Sequence, residues 1–321
     1  MNARLQHRAT PSRTSSTHAK HGPGKPSEFD RICEALDGYF AKAFEARKRL
    51  LEQPYEPKLL HAWRVNLRRV TATLKDLASL SDDDLRDVLA YLRSCRESTG
   101  QSRDLDILAQ ETLPAFLDKE NAKLPGVDAA TKALSERQQQ AHKQAVVELK
   151  KHNLSASLQS WRHWVQTVEP PTDNQVRKVA AAALQQRWNT LKKRASKLDG
   201  GQKRLHRLRS ATKKMRYSIE LYQHAFPKQA TSAWLKQLTE LQSGLGLAHD
   251  RMTGRTLIRD FLVAEDTQTL LKPFRQWGKR TAYHASEEAM HSLAKLEKLN
   301  SFWRKAAHCT PSGGRGKTRA T

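Results

Sequence analysis

The sequence predicts an all-α fold, and three observations carry that expectation. Ala, Leu, Gln, Lys and Arg dominate the middle of the chain, and no alternating β-branched run reaches strand length. Apolar residues recur at helical period between regularly spaced breakers. A ten-residue pattern in the first half returns in the second half.

The 321 residues hold 57 Lys+Arg against 33 Asp+Glu, a formal net charge of +24. Hydrophobic residues make up 38%, enough for a sizeable core and well above the composition of disordered chains. No apolar run approaches the ~20 residues of a membrane span, and the N-terminus lacks the apolar stretch of a secretory signal. These features point to a soluble protein with an anionic partner.

The ends of the chain are read as disordered basic tails. Residues 1–27 carry Arg4, Arg8, Arg13, Lys20 and Lys25 with no acid, and residues 310–321 carry Arg315, Lys317 and Arg319 with no acid. Pro11 and the run His21-Gly22-Pro23-Gly24 argue against an amphipathic transit helix at the N-terminus. The tails hold eight cations, so the body keeps +16. Cys33, Cys95 and Cys309 lie far apart and form no CxxC pair, which predicts free thiols in a reducing compartment, with Cys33 and Cys95 packed as small apolar side chains.

The helices follow in order. Ser27 with Asp30 makes a capping box before a first helix to about Glu52. Pro54 and Pro57 separate it from a second, about Lys58–Leu80. Ser81 with Asp82–Asp84 opens a third, which Gly100 is expected to close. A fourth starts at Asp104 and is disturbed at Pro114. Helices then run over about Val127–Val168, broken near Asn153. Glu169-Pro170-Pro171-Thr172-Asp173 is the linker. A helix from Asn174 ends at Asp199-Gly200-Gly201, another covers about Gln202–His224 and stops before Pro227, and a further one runs to Gly244 and Gly246. The last extend to about His308.

The halves on either side of the linker, 28–168 and 174–309, read as copies. Leu60-His61-x-x-Arg64-x-x-x-Arg68-Arg69 matches Leu205-His206-x-x-Arg209-x-x-x-Lys213-Lys214, so that 61, 64 and 68 fall on 206, 209 and 213. Gly100-x-x-Arg103-Asp104 then matches Gly246-x-x-His249-Asp250, one residue out of that register. Positions i, i+3 and i+7 share one helix face. His61, Arg64, Arg68, Thr71 and Lys75 therefore form one stripe, opposite Leu59, Trp63, Leu67, Val70, Leu74 and Leu77. His206, Arg209, Lys213 and Arg216 form the second, against Leu205, Leu208, Met215, Ile219 and Tyr222. Acids at i±4 are nearly absent from the stripes, Glu220 excepted, so the cations repel one another unless an anion bridges them. Arg suits forked contact with phosphate oxygens. A polyanion held between two basic helices is the ligand class these faces predict.

These motifs resemble the CHAD family, the conserved histidine α-helical domain. The resemblance rests on His61-x-x-Arg64-Val65-x-x-Arg68-Arg69, Gly100-x-x-Arg103-Asp104-Leu105-Asp106, Leu205-His206-Arg207-Leu208-Arg209, Lys213-Lys214-Met215-Arg216-Tyr217-Ser218-Ile219-Glu220-Leu221, and Leu241-Gln242-x-x-Leu245-Gly246 with His249-Asp250. It spans about residues 28–308. It implies two pseudo-symmetric four-helix units around a basic central pore that binds inorganic polyphosphate without catalysis. The implied pore residues are His61, Arg64 and Arg68 with His206, Arg209 and Lys213. Lys75, Arg93, Arg96, Arg103, Arg137, Arg187, Arg216, Lys236 and Arg280 are implied as further basic contributors. A cytoplasmic setting at polyphosphate or storage granules is also implied. Where the family usually has Asn, this chain has His249. Some family members carry a triphosphate-tunnel (CYTH) enzyme domain, for which residues 1–27 are too short.

Two rivals are weighed against polyphosphate. His206, His249 and Asp250 with Asp260 or Asp266 imitate the ligand order of a metal-dependent phosphohydrolase. However, the counterpart of His249 is Arg103, which binds no metal, and the surrounding stripe is basic. No metal or cofactor is therefore expected. General nucleic-acid binding fits the net charge, but the tryptophans sit on apolar stripes or at helix ends and read as core, not as base-stacking platforms. Asp104 and Asp250 are expected to cap the next helix and brace a neighbouring Arg.

Overall fold

The computed structural model describes residues 25–78, 85–119, 125–260 and 265–307. Of the sequence expectations, the two tails (apart from residues 25–27), the Ser81–Asp84 helix start and Cys309 lie outside these residues. Among the described residues every regular element is helical.

The first half contains α1 (Glu28–Glu52), α2 (Pro57–Leu77), α3 (Arg86–Glu97), α4 (Gly100–Ile107), α5 (Leu113–Lys119), α6 (Val127–Lys151) and α7 (Ser155–Thr167). The second contains α8 (Asp173–Ala195), α9 (Gln202–Tyr222), α10 (Lys228–Leu257), α11 (Glu265–Glu297) and α12 (Arg304–Ala307). The limits of these elements keep the register of the motifs. α1 and α8 begin at 28 and 173, α2 and α9 begin at 57 and 202, and they end at 77 and 222.

Both starts of the first pair are fixed by capping boxes. Ser27 Oγ accepts from Asp30 N–H while Asp30 reaches back to Ser27 N–H. Thr172 and Gln175 repeat the device at α8. Glu28 N–H also donates to Asp173 Oδ1 at 2.8 Å, so the two starts touch. α1 packs along α2, α8 along α9, α9 along α10 and α10 along α11, while α2 and α9 meet between the halves.

The apolar stripes predicted on α2 and α9 are the ones the core takes. Trp63, Leu67, Val70, Leu74, Leu208, Met215 and Ile219 are all buried in the main cluster. Burying each such side chain contributes roughly 1.5–3 kcal/mol. A smaller cluster around Leu108, Phe116, Leu134, Phe274 and Trp277 joins α4–α6 to α11. All seven tryptophans are buried. Trp63, Trp161, Trp164 and Trp303 are core, as expected, and so are Cys33 and Cys95.

Three expectations about breakers need correction. Gly244 and Gly246 do not stop a helix, because α10 runs through both. A Cβ at Gly244 would stand 3.1 Å from Ala285 O and Ala289 Cβ, so the glycine permits close approach of α11. Gly100 opens α4 instead of closing α3. Asp104 and Asp250 lie inside α4 and α10, so neither is a cap.

Pro114 does disturb its helix, by a route its position explains. It has no N–H to give the carbonyl four residues back. The backbone widens into a π-turn over Leu108–Thr112, where Leu113 N–H bonds Leu108 O. That turn packs on α10, with a Cβ at Gly254 only 3.0 Å from Thr112 Cγ2.

Candidate functional site

Where α2, α4 and the π-turn face α9 and α10, a cleft of about 410 Å³ opens. From the sequence-predicted set it brings together His61, Arg64, Arg68, Arg103, Arg209 and Lys213. Asp104, Glu111, His249, Asp250 and Arg251 complete its charged and titratable lining. Helical period puts the cations there: the stripe opposite the buried stripe of α2 meets its counterpart on α9.

The two central arginines occupy matched positions but are held differently. Arg64 Nη1 donates to Arg96 O and, at 3.1 Å, to Thr99 Oγ1, which fastens it to the end of α3. Arg209 Nη2 lies 3.9 Å from Asp250 Oδ1, and Asp104 is the carboxylate that most supports the charge on Arg64. The Nε of both arginines is buried and finds no acceptor among the described residues. The matched glycines stand over them: a Cβ at Gly100 would lie 3.9 Å from the Arg64 guanidinium, and one at Gly246 would lie 3.8 Å from Arg209 Nε. Both guanidinium groups line the cleft, so an anion there would meet them by charge-assisted contact.

Electrostatics tell the same story. Burial, and then the crowd of neighbouring guanidinium groups, makes the cleft reluctant to hold protons on its bases. The Lys213 ammonium is brought down to about 6, by burial first and then by Arg209 and Arg68. Arg64 is lowered to about 10, chiefly by burial. His61 keeps open surface at the rim, yet burial of its ring and the cations Arg103, Arg68 and Lys213 bring it to about 4. His206, exposed on α9 and not among the residues lining the cleft, is lowered by burial and by Arg209 and Lys213. His249 falls to about 3, and its buried Nδ1 has no partner. Its ring stands 5.1 Å from that of His206. Asp250 moves the opposite way, up to about 6, because burial outweighs the pull of Arg209. Burial likewise raises Asp104.

The remaining predicted residues lie outside the cleft. Arg96 borders it, close enough to weigh on Arg68 and His206. Lys75 and Arg93 gather instead around Lys214, whose proton affinity burial, then Lys75 and Arg187, lower. The charge of Arg187 is met by buried Asp76. Arg216 turns to Glu220 at 3.5 Å and to the Tyr217 ring. Arg137 is exposed on α6 and bonds Gln140. Lys236 and Arg280 are exposed on α10 and α11.

Sequence reasoning did not select Glu111 or Arg251 for the site. The π-turn delivers Glu111, and Arg251 lies over Trp277 at 4.6 Å with Nη1 donating to Glu111 O at 3.4 Å. The breaker Pro114 was the available signal for the first, and nothing in the local pattern marks the second. The bracing role expected of Asp104 and Asp250 is seen, without the capping role. Among the described residues no three His, Cys, Asp or Glu side chains gather as a metal set: Asp250 faces Arg209 and Asp260 lies beside Arg259, while the Asp266 side chain is outside the described residues. No helix among the described residues is long and apolar enough to cross a membrane.

The fold resembles that of the CHAD domain from the plant Ricinus communis, with a TM-score of 0.71 at 19% identity over 86% of this chain and 93% of that one. It also resembles PptA from Streptomyces chartreusis, with a TM-score of 0.61 at 14% identity over 85% of this chain and 100% of that one. No curated protein matches the sequence. The family model for the CHAD domain matches residues 34–259, which spans both basic helices and both Gly-x-x-x-Asp motifs, and the chain therefore belongs to the CHAD family.

Proposed function

We propose that the cleft binds inorganic polyphosphate and does not transform it. The observation that carries this reading is the convergence of Arg64, Arg68, Arg103, Arg209 and Lys213, from both basic helices and α4, on one cleft. Such a cluster is repulsive when empty and favourable around a chain of phosphates. Membership of the CHAD family, linked to polyphosphate, supports the ligand class. A cytoplasmic setting at polyphosphate or storage granules belongs to the same proposal.

General nucleic-acid binding is the rival, and the tryptophans disfavour it. All seven are core residues and cannot stack on bases. Titration with long-chain polyphosphate and with single-stranded RNA, at several salt concentrations, separates the two. Polyphosphate is expected to bind more tightly at every salt concentration. RNA binding equally tightly at matched charge would reject the proposal.

A further inference from the structure

The two halves of the cleft correspond position by position, but they are not chemically alike. Three positions are conserved in kind between the copies: His61 with His206, Arg64 with Arg209, and Asp104 with Asp250. Two are not. Arg68 of α2 is answered by Lys213 of α9, and Arg103 of α4 by His249 of α10. At both, a guanidinium that stays charged is replaced by a group that can give up its proton.

The surroundings favour the uncharged forms. Lys213 and His249 line the cleft together with Arg209, and the His249 Nδ1 is buried without a partner. Within α9, Arg209 acts on both groups, with Arg216 added for Lys213 and His206 for His249. From α2 come Arg68 and, at the cleft wall, His61. From α10 come Asp250, which supports a charge on Lys213, and Arg251. Arg103, Asp104 and Glu111 line the opposite side. With Lys213 held at about 6 and His249 at about 3, both are mostly neutral at pH 7 in the empty cleft.

Resting on the polyphosphate reading, we propose that Lys213 and His249 make the second half of the cleft a proton-loaded anion site, charged only when phosphate occupies it. The first half, with Arg64, Arg68 and Arg103, presents guanidinium groups that keep their charge around neutral pH. Lys213 and His249 thereby set how affinity varies with pH. An entering phosphate raises the proton affinity of both, so binding takes up protons. Each proton taken up weakens binding by about tenfold per pH unit as pH rises between the free and bound values, a window that opens above about 6 for Lys213. Histidines and carboxylates common to both halves add an uptake that is shared between them.

The test is calorimetric titration of the full chain with long-chain polyphosphate, in buffers of different ionisation enthalpy, from pH 6 to 9. The wild type is compared with Lys213→Arg/His249→Asn and with the reciprocal Arg68→Lys/Arg103→His. The first variant is expected to lose up to about one proton of uptake, most of it from Lys213, and to bind with a flatter pH profile. The second is expected to gain uptake and a steeper profile, and it tests the same point if the first fails to fold. Unchanged uptake in a folded variant of either kind, with binding intact, would overturn this inference and leave the polyphosphate reading standing. Absence of wild-type binding at every pH would overturn both.

Discussion

Replacing Arg64 or Arg209 by alanine is the sharpest perturbation of the cleft. Each removes a guanidinium that lines the cleft, so each deletes a charge-assisted contact to phosphate worth about 1.5–3 kcal/mol. That corresponds to roughly a 10- to 150-fold rise in Kd. The equivalence of the positions predicts similar losses from the two variants. Their stabilities should differ, because only Arg64 is tied to the end of α3. Losing it frees Thr99 Oγ1 and leaves Arg96 O with the Thr99 hydroxyl at 3.1 Å as its remaining side-chain donor, a cost of about 1 kcal/mol. Arg209→Ala removes repulsion on Lys213 and Arg68 together with attraction to Asp250, and these oppose each other. Calorimetry with long-chain polyphosphate measures the first effect and thermal melting of the ligand-free protein the second. Loss of binding from one variant only would mean that a single half carries the site. Loss from neither would place the site elsewhere.

Further outcomes follow from the same geometry. His249 holds a proton at about 3 in the fold, against about 6.5 in the unfolded chain, so below about pH 6.5 the unfolded state binds more protons and this residue destabilises the fold. His249→Asn should therefore gain stability relative to wild type as pH falls from about 6.5 towards 4, and a pH-independent difference in melting temperature contradicts this. Gly244→Ala pushes a methyl to 3.1 Å from Ala285 O and Ala289 Cβ, backbone and side chain of α11. The crowding should exceed the ~1 kcal/mol helix-propensity gain and lower stability by up to about 2 kcal/mol in denaturant melts; an unchanged or raised midpoint argues against the close α10–α11 contact. Cys33 and Cys95 are buried, and burial pushes their thiols up to about 12 and about 11. Both should resist thiol reagents until the protein unfolds, and rapid labelling of either in the native protein contradicts their placement.

Much of this arrangement could be read from local pattern. The apolar and basic stripes of α2 and α9 appeared at their true positions because burial selects one face of a 3.6-residue period, and Ser27 with Asp30 marked the start of α1. The glycines misled for a physical reason. Gly100, Gly244 and Gly246 look like helix stops, but all three lie within helices, and at Gly244 what the chain uses is the missing side chain, which lets α11 approach. Glu111 and Arg251 were hidden because their position depends on how the π-turn seats against α10, which no single helix face reveals. The basic contributors taken from family resemblance divide likewise: Arg103 enters the cleft, whereas Arg187 and Arg216 meet buried or neighbouring carboxylates of the fold.

The most direct measurement is a crystal structure of the full chain grown with polyphosphate. A phosphate chain lying between Arg64 and Arg209, with oxygens in hydrogen-bond reach of both guanidinium groups, is the predicted result. Phosphates bound only to surface lysines or to the basic ends of the chain, with the cleft empty, would contradict it.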